Sequence, residues 1–239
     1  MQLKDPDLLF TRGWIDGAAV DSARSFAVVD PASMADIATV SDLTASDAAA
    51  AIAAASKAQR EWRSASVDTR TGRIESWAAL VEANAADLGN IITAESGKPL
   101  REARGEAGQC AALLRWFAER ARELQGEALP ALESGQQNST IKQPVGVVAC
   151  VTPWNFPAAA VVVKAGAAIA AGCAAIVKPS DQTPLIALAL AGLADRAGIP
   201  AGVLNVLPCQ DPTAIGAALC ESPDVRMLSF TGSTRVGKH

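Results

Sequence analysis

Three short stretches carry side chains able to act on a ligand. TPWNFP, residues 152–157, sets Asn155 beside an aromatic ring and between two prolines. A loop this stiff can aim a carboxamide NH2 at a developing oxyanion. A turn asparagine that bonds its own backbone is the plain alternative. KPSDQTP, residues 178–184, places Lys178 at the end of an apolar run and Asp181 three residues later. The lysine suits a sugar hydroxyl or a phosphate, and the aspartate suits a ribose diol. A snorkelling surface lysine and a helix N-cap are the ordinary roles for such residues. The third stretch, TGSTRVGK, follows the apolar VRMLSF, so that Gly232 and Ser233 open a helix whose unpaired N–H groups favour a pyrophosphate.

The third stretch also imitates a triphosphate loop. GSTRVGKH is one residue short of GxxxxGK[ST], a pattern that needs a hydroxyl on magnesium and a helix running on behind it. His239 stands in the hydroxyl position, and no later acidic strand exists to hold magnesium, so the match is discounted. Five cysteines without a CxxC pair, and a single histidine, provide no metal-ligand cluster. Cys110 sits in Gly108-Gln109-Cys110, which looks like a nucleophile setting, but the segment lies mid-way along an amphipathic helix. It is expected to be structural, as are Cys150 within a strand and Cys173 at a helix end.

The elements that must position these loops follow from periodicity. Short apolar runs in residues 1–43, broken by Gly17 and Pro31, predict a few antiparallel strands. Thr44 opens a capping-box-like start, and residues 44–126 carry long helices rich in alanine. A polar, turn-rich β segment occupies 127–144, with IKQPVGVVACV giving two strand pieces around Pro144 and Gly146. From 145 to 239 the pattern alternates: strand 145–151, helix 157–171, strand 174–178, helix 184–197, strand 202–206, helix 212–221 and strand 225–230. Such alternation predicts an α/β fold with a doubly wound parallel sheet built from right-handed crossovers. Ligands bind at the carboxyl ends of these strands. TPWNFP, KPSDQTP, LPCQDP and TGSTRVGK all fall there.

Composition narrows the partners. Half the residues are hydrophobic, the net charge is −4, and the basic residues are scattered, which argues against nucleic acid and anionic membranes and for a small molecule. The longest apolar stretch, 165–177, is thirteen residues, short of a bilayer span. The first residues, MQLKDPDLLF, lack the pattern of an export signal. With its unpaired cysteines the chain is expected in the cytoplasm.

The run from TPWNFP through KAGAAIAAGCAAIVKPSDQTP to VRMLSFTGSTRVGK resembles the NAD(P)-dependent aldehyde dehydrogenases, and the resemblance spans essentially the whole chain. MQLKDPDLL, ESGKPLREARGE and IKQPVGVV are most similar to the succinate-semialdehyde members. The resemblance implies a Rossmann-like cofactor domain, truncated before the catalytic domain, and makes Asn155 the side-chain half of an oxyanion hole. It implies that Thr152, Pro153 and Trp154 line the nicotinamide end of the cleft. Lys178 and Asp181, with Pro179 and Ser180 between them, match the positions at the adenosine ribose. Phe230, Gly232, Ser233 and Val236 match those at the pyrophosphate and adenine.

The implied cofactor is NAD or NADP, with a lean to NAD: a full-length acidic side chain after KPx would repel a 2′-phosphate, whereas Asp181 is short and stands next to Ser180. The implied substrate is a small aldehyde, semialdehydes included, and the 127–144 segment implies a homo-oligomer in the full-length form. The family reaction uses a cysteine thiolate, hydride transfer and a glutamate-activated water. Both residues are expected beyond His239, so the chain alone is expected to be inactive. Val163 departs from the pattern: the semialdehyde members carry an arginine there for the substrate carboxylate. The alternative reading is a short non-catalytic protein that binds nucleotide or pairs with a longer subunit.

Overall fold

The computed structural model describes residues 1–238; His239, which stands in the hydroxyl position of the triphosphate pattern, lies outside the described residues. After a single 3-10 turn at Pro6–Leu8, the first strands form a hairpin of β1 (Gly13–Ile15) and β2 (Ala18–Val20). Asp16 and Gly17 form its turn, both at positive φ (52° and 74°), the backbone that a tight Asp-Gly hairpin demands. A second antiparallel pair, β3 (Ser25–Val29) and β4 (Asp36–Ser41), stands apart as its own two-stranded sheet.

Helices α1 (Ala45–Trp62), α2 (Val67–Ala83), α3 (Ala85–Ser96) and α4 (Leu100–Arg122) follow. At the head of α1 the Asp47 carboxylate accepts from the Thr44 N–H (2.8 Å) and hydroxyl (2.7 Å), as the capping pattern predicts. Helix α3 stops at Gly97, whose φ of 71° is left-handed, the usual terminator. The 127–144 segment forms only a two-residue ribbon, β5 (Ala128–Leu129) with β6 (Asn138–Ser139).

The alternating half gives β7 (Val147–Val151), α5 (Pro157–Val161), α6 (Ala167–Ala170), β8 (Ala174–Lys178), α7 (Pro184–Arg196), β9 (Leu204–Val206), α8 (Pro212–Glu221), β10 (Val225–Phe230) and α9 (Thr234–Gly237). The large sheet runs β10-β7-β8-β9-β1-β2, with β10, β7, β8 and β9 mutually parallel. Alternate residues of each central strand face opposite layers. Val147, Ala149 and Ile176 pack in the cluster of α1 and α8, whereas Val148, Cys150 and Val177 pack in the cluster of α2, α4 and α7. Burial on both faces explains why these strands read as unbroken apolar runs.

Some expectations need correction. The IKQP piece is not a strand, and the strands foreseen at 145–151 and 202–206 start two residues later, because Gly146 (φ 125°) and Gly202 (φ 79°) take conformations outside the strand region. Helix 157–171 is not uniform either. Residues Val162–Gly166 widen into a π turn between α5 and α6, and Gly166 comes so close to α4 that a Cβ there would stand 3.0 Å from Leu114. The N-terminal hairpin extends the large sheet: Trp14 of β1 pairs antiparallel with Val206 of β9, and the side-chain Oδ1 of Asn205 accepts from the Asp16 N–H at 3.0 Å.

Candidate functional site

Register places the predicted loops side by side. Phe230 pairs with Val151, and Val151 pairs with Lys178, so the last residues of β10, β7 and β8 form one row. At the usual strand spacing this row is roughly 10 Å wide. The hydrogen bonding continues past the strand ends: Thr231 N–H donates to the Val151 carbonyl (3.1 Å), and Thr152 N–H donates to the Lys178 carbonyl (3.2 Å). From β7 the chain winds through β8 to β9 on one side, and then returns to lay β10 on the other. The loops after β7 and β10 therefore diverge at a topological switch point, where open α/β sheets form their crevice.

Within that row the side chains differ in exposure. Thr152 is buried, Pro153 half-buried, and Trp154 and Asn155 exposed. The Asn155 carboxamide has no protein partner among the described residues, while its backbone carbonyl accepts from Lys98 Nζ at 2.9 Å. Lys178 is buried to 7% exposure, yet its ammonium has no hydrogen-bond partner among the described residues. A cation so placed is available to a ligand at the sheet edge. Pro179 is buried, and Ser180 turns the chain by accepting from Gln182 N–H (3.3 Å) while donating to the exposed Asp181 (3.2 Å).

On β10, Phe230 is half-buried and Gly232, Ser233 and Val236 are exposed. Ser233 caps α9 by accepting from the Val236 N–H at 3.3 Å. Gly232 folds over Phe230 so closely that a Cβ would lie 2.6 Å from its ring. Any side chain there would displace the ring, so glycine is what lets Phe230 lie against this backbone.

Two buried carboxylates hold the loops from below. Glu106 of α4 accepts from the N–H groups of Ala158 (3.0 Å) and Ala159 (3.1 Å) at the start of α5. Glu95 of α3 accepts from Leu185 (2.8 Å) and Ile186 (3.0 Å) at the start of α7. Each helix has a non-capping or unbonded residue at its N-cap, Phe156 and Thr183, so a remote acid supplies the missing acceptors. Neither acid is identifiable from local sequence, because the bonds span 52 and 90 residues. The nearest signal is the ESGKPLREARGE segment that contains both.

Burial pushes the Glu95 carboxyl up from 4.5 to about 8, against the pull of its two N–H partners. The folded state then keeps a proton that the unfolded chain has lost, so this group's contribution is full below pH 4.5 and is lost as pH rises to about 8. Stability is expected to fall over that interval in the parent, and to fall less in Glu95→Gln. Superimposable melting-temperature profiles for the two proteins from pH 5 to 9 would refute this assignment.

Lys164, in the π turn, is a further residue that the sequence reading passed over. Its ammonium donates to Thr231 Oγ1 (2.7 Å) and Ser229 Oγ (3.3 Å), tying the helix after β7 to the end of β10, and burial lowers its pKa. The cysteines behave differently. Burial, then the Glu106 carboxylate, raises the Cys110 thiol, and burial takes Cys150 to about 12. A thiol held neutral is a poor nucleophile, which removes Cys110 as a candidate despite its sequence setting. Cys220 alone among the five is exposed, on α8.

The sheet and its loops define a doubly wound α/β protein of the dinucleotide-binding type. The model of the aldehyde dehydrogenase family matches residues 15–239, and the chain belongs to that family. A mitochondrial succinate-semialdehyde dehydrogenase from Mus musculus is 47% identical over 234 residues, which is 97% of this chain and 45% of that protein. An aldehyde dehydrogenase from Brucella melitensis biovar abortus 2308 superposes with a TM-score of 0.98 at 46% identity, over 100% of this chain and 50% of that one. An E. coli NADP dependent enzyme superposes with a TM-score of 0.97 at 41% identity, over 99% and 50% respectively. The chain spans about half the length of the curated relatives it matches. Among the described residues no helix is long and apolar enough to cross a membrane.

Proposed function

We propose that this chain binds the dinucleotide and supplies the oxyanion-hole side chain of an enzyme that oxidises a small aldehyde to a carboxylate with NAD(P). The observation that carries the reading is the single row formed by Phe230, Val151 and Lys178, which sets three ligand-type loops against one crevice. The residues fit the cofactor. Lys178, a residue 7% exposed, has no hydrogen-bond partner for its ammonium among the described residues, and Gly232 and Ser233 stand exposed just past the end of β10.

Nicotinamide dinucleotide, when bound, takes up the hydride of the aldehyde carbon. Lys178 and Asp181 hold the ribose, Gly232 and Ser233 face the pyrophosphate, Val236 lies toward the adenine, and Thr152, Pro153 and Trp154 shape the nicotinamide end. Asn155 donates from its free carboxamide to the oxygen that gains negative charge as a nucleophile adds to the carbonyl. Four of the cysteines are buried, and the exposed Cys220 lies at the end of α8 that leads into the start of β10, at the sheet edge opposite the three loops; none of the five is placed to act as the nucleophile, and the 239-residue chain alone is expected not to turn over aldehyde.

NAD is preferred over NADP, since Asp181 would sit against a 2′-phosphate. Val163, 47% exposed, offers no charge to a second carboxylate. A carboxylate-bearing aldehyde thereby forgoes roughly 1.5–3 kcal/mol of binding from a charge-assisted contact. The exposed Leu132 and Ile141 around the β5–β6 ribbon support a homo-oligomer, and five free thiols support a reducing compartment such as the cytoplasm.

Calorimetry on the 239-residue chain tests the reading. NAD+ is expected to bind more tightly than NADP+, Asp181→Asn to narrow the difference, and Lys178→Ala to weaken NAD+ by about tenfold or more. Failure of both dinucleotides to bind would sink it.

A further inference from the structure

Lys98 and Glu106 together grip the loop that carries Asn155 from Asn155 itself to the start of α5. Lys98 lies in the turn between the left-handed Gly97 and Pro99, the N-cap of α4, and its side chain is only 12% exposed. It forms an ion pair with Glu106, whose carboxylate is 1% exposed. The same ammonium donates to the Asn155 carbonyl at 2.9 Å and stands 3.9 Å over the centre of the Phe156 ring. Glu106 takes the N–H groups of Ala158 and Ala159 with its other oxygen. A buried ion pair between residues eight apart is thus spent on three neighbouring sites of one loop. Burying these charges costs several kcal/mol unless every lone pair and proton is used, and here the loop backbone uses them.

We infer that Lys98, held by Glu106, is the positioning residue for the oxyanion loop: it fixes the peptide after Asn155 and thereby the direction of the Asn155 carboxamide. The inference rests on the oxyanion role proposed above for Asn155. Glu106 anchors the start of α5, Lys98 anchors residues 155 and 156, and Pro157 stiffens the junction between them. Without the ammonium, the Asn155 carbonyl loses its donor, Phe156 loses the cation on its face, and Glu106 keeps a buried charge opposed only by helix N–H groups. The loop then samples several directions, and an oxyanion donor displaced by about 1 Å costs on the order of 10²-fold in rate.

The test compares Lys98→Met, Lys98→Arg and Glu106→Gln with the parent. In 15N-labelled 239-residue chain, Lys98→Met is expected to shift and broaden the Asn155 side-chain NH2 and to shift the Ala158 and Ala159 amides, with NAD+ affinity within about twofold of the parent. Lys98→Arg retains a cation and two further donors, and should restore much of the parent spectrum. Glu106→Gln, which keeps an acceptor for α5 but frees Lys98, should move the Asn155 signals too. In the enzyme form that turns over aldehyde, Lys98→Met is expected to lower kcat about 10- to 100-fold, with the cofactor KM little changed. Asn155 signals that coincide in parent and Lys98→Met would overturn the inference. So would an unchanged kcat in Lys98→Met where Asn155→Ala lowers kcat. Should Asn155→Ala itself leave kcat unchanged, the oxyanion reading falls, and the spectra alone decide the positioning role.

Discussion

On the oxyanion role proposed for Asn155, replacing it with alanine in the enzyme form that turns over aldehyde is expected to lower kcat by about 10²–10³-fold while leaving dinucleotide affinity near that of the parent. The expectation follows from where the side chain stands. Asn155 is exposed at the switch between β7 and β10, its carboxamide has no protein partner among the described residues, and its backbone is clamped by Lys98. A donor held ready without a ground-state partner gains its interaction only as charge develops on the carbonyl oxygen, which is the condition for raising kcat rather than lowering KM. Asn155→Asp is expected to be at least as damaging, since it sets a negative charge against the forming oxyanion. Steady-state kinetics with aldehyde and dinucleotide varied separately would check both. A proportionate rise in the dinucleotide KM, with kcat intact, would instead assign Asn155 to cofactor binding.

The second large effect is on stability. Trp77 of α2 is fully buried, and its indole N–H donates to the Leu190 carbonyl of α7 at 3.1 Å. It joins the helical layer to the helix that begins just after the 178–183 loop. Trp77→Ala is expected to cost about 3–5 kcal/mol, from lost burial and the cavity left behind. Trp77→Phe, which keeps most of the volume and loses the hydrogen bond, should cost much less, with about 1 kcal/mol from the bond itself. Urea unfolding of the three proteins checks the ranking. A Trp77→Ala loss below about 1 kcal/mol would show that the α2–α7 contact contributes little.

Local pattern was enough for a good part of this. The parallel half was legible because β7 and β8 are short apolar runs buried on both faces, and α7 and α8 begin with prolines at their first turns. The loops at 152–155, 178–181 and 230–236 were legible for the same reason: each follows a recognisable strand. Lys178 and Gly232 sit where the chain itself announces an edge. The N-terminal antiparallel strands were visible in the short apolar runs broken at Gly17, but their sheet was not, since nothing near residue 14 encodes a partner at residue 206.

The amino-acid sequence by itself determined the alternation of strand and helix, the loops at the strand ends and the family resemblance, because these depend on backbone propensities and periodicities confined to a few consecutive residues. The tertiary structure decided the rest. It set β10 beside β7 rather than β9, widened the helix at Val162–Gly166 so that it carries Lys164 to Thr231, and buried Glu95, Lys98 and Glu106 beneath the loops they serve. A buried polar or charged group is tolerable only where distant segments bring it partners. Its role therefore exists only once the chain has folded.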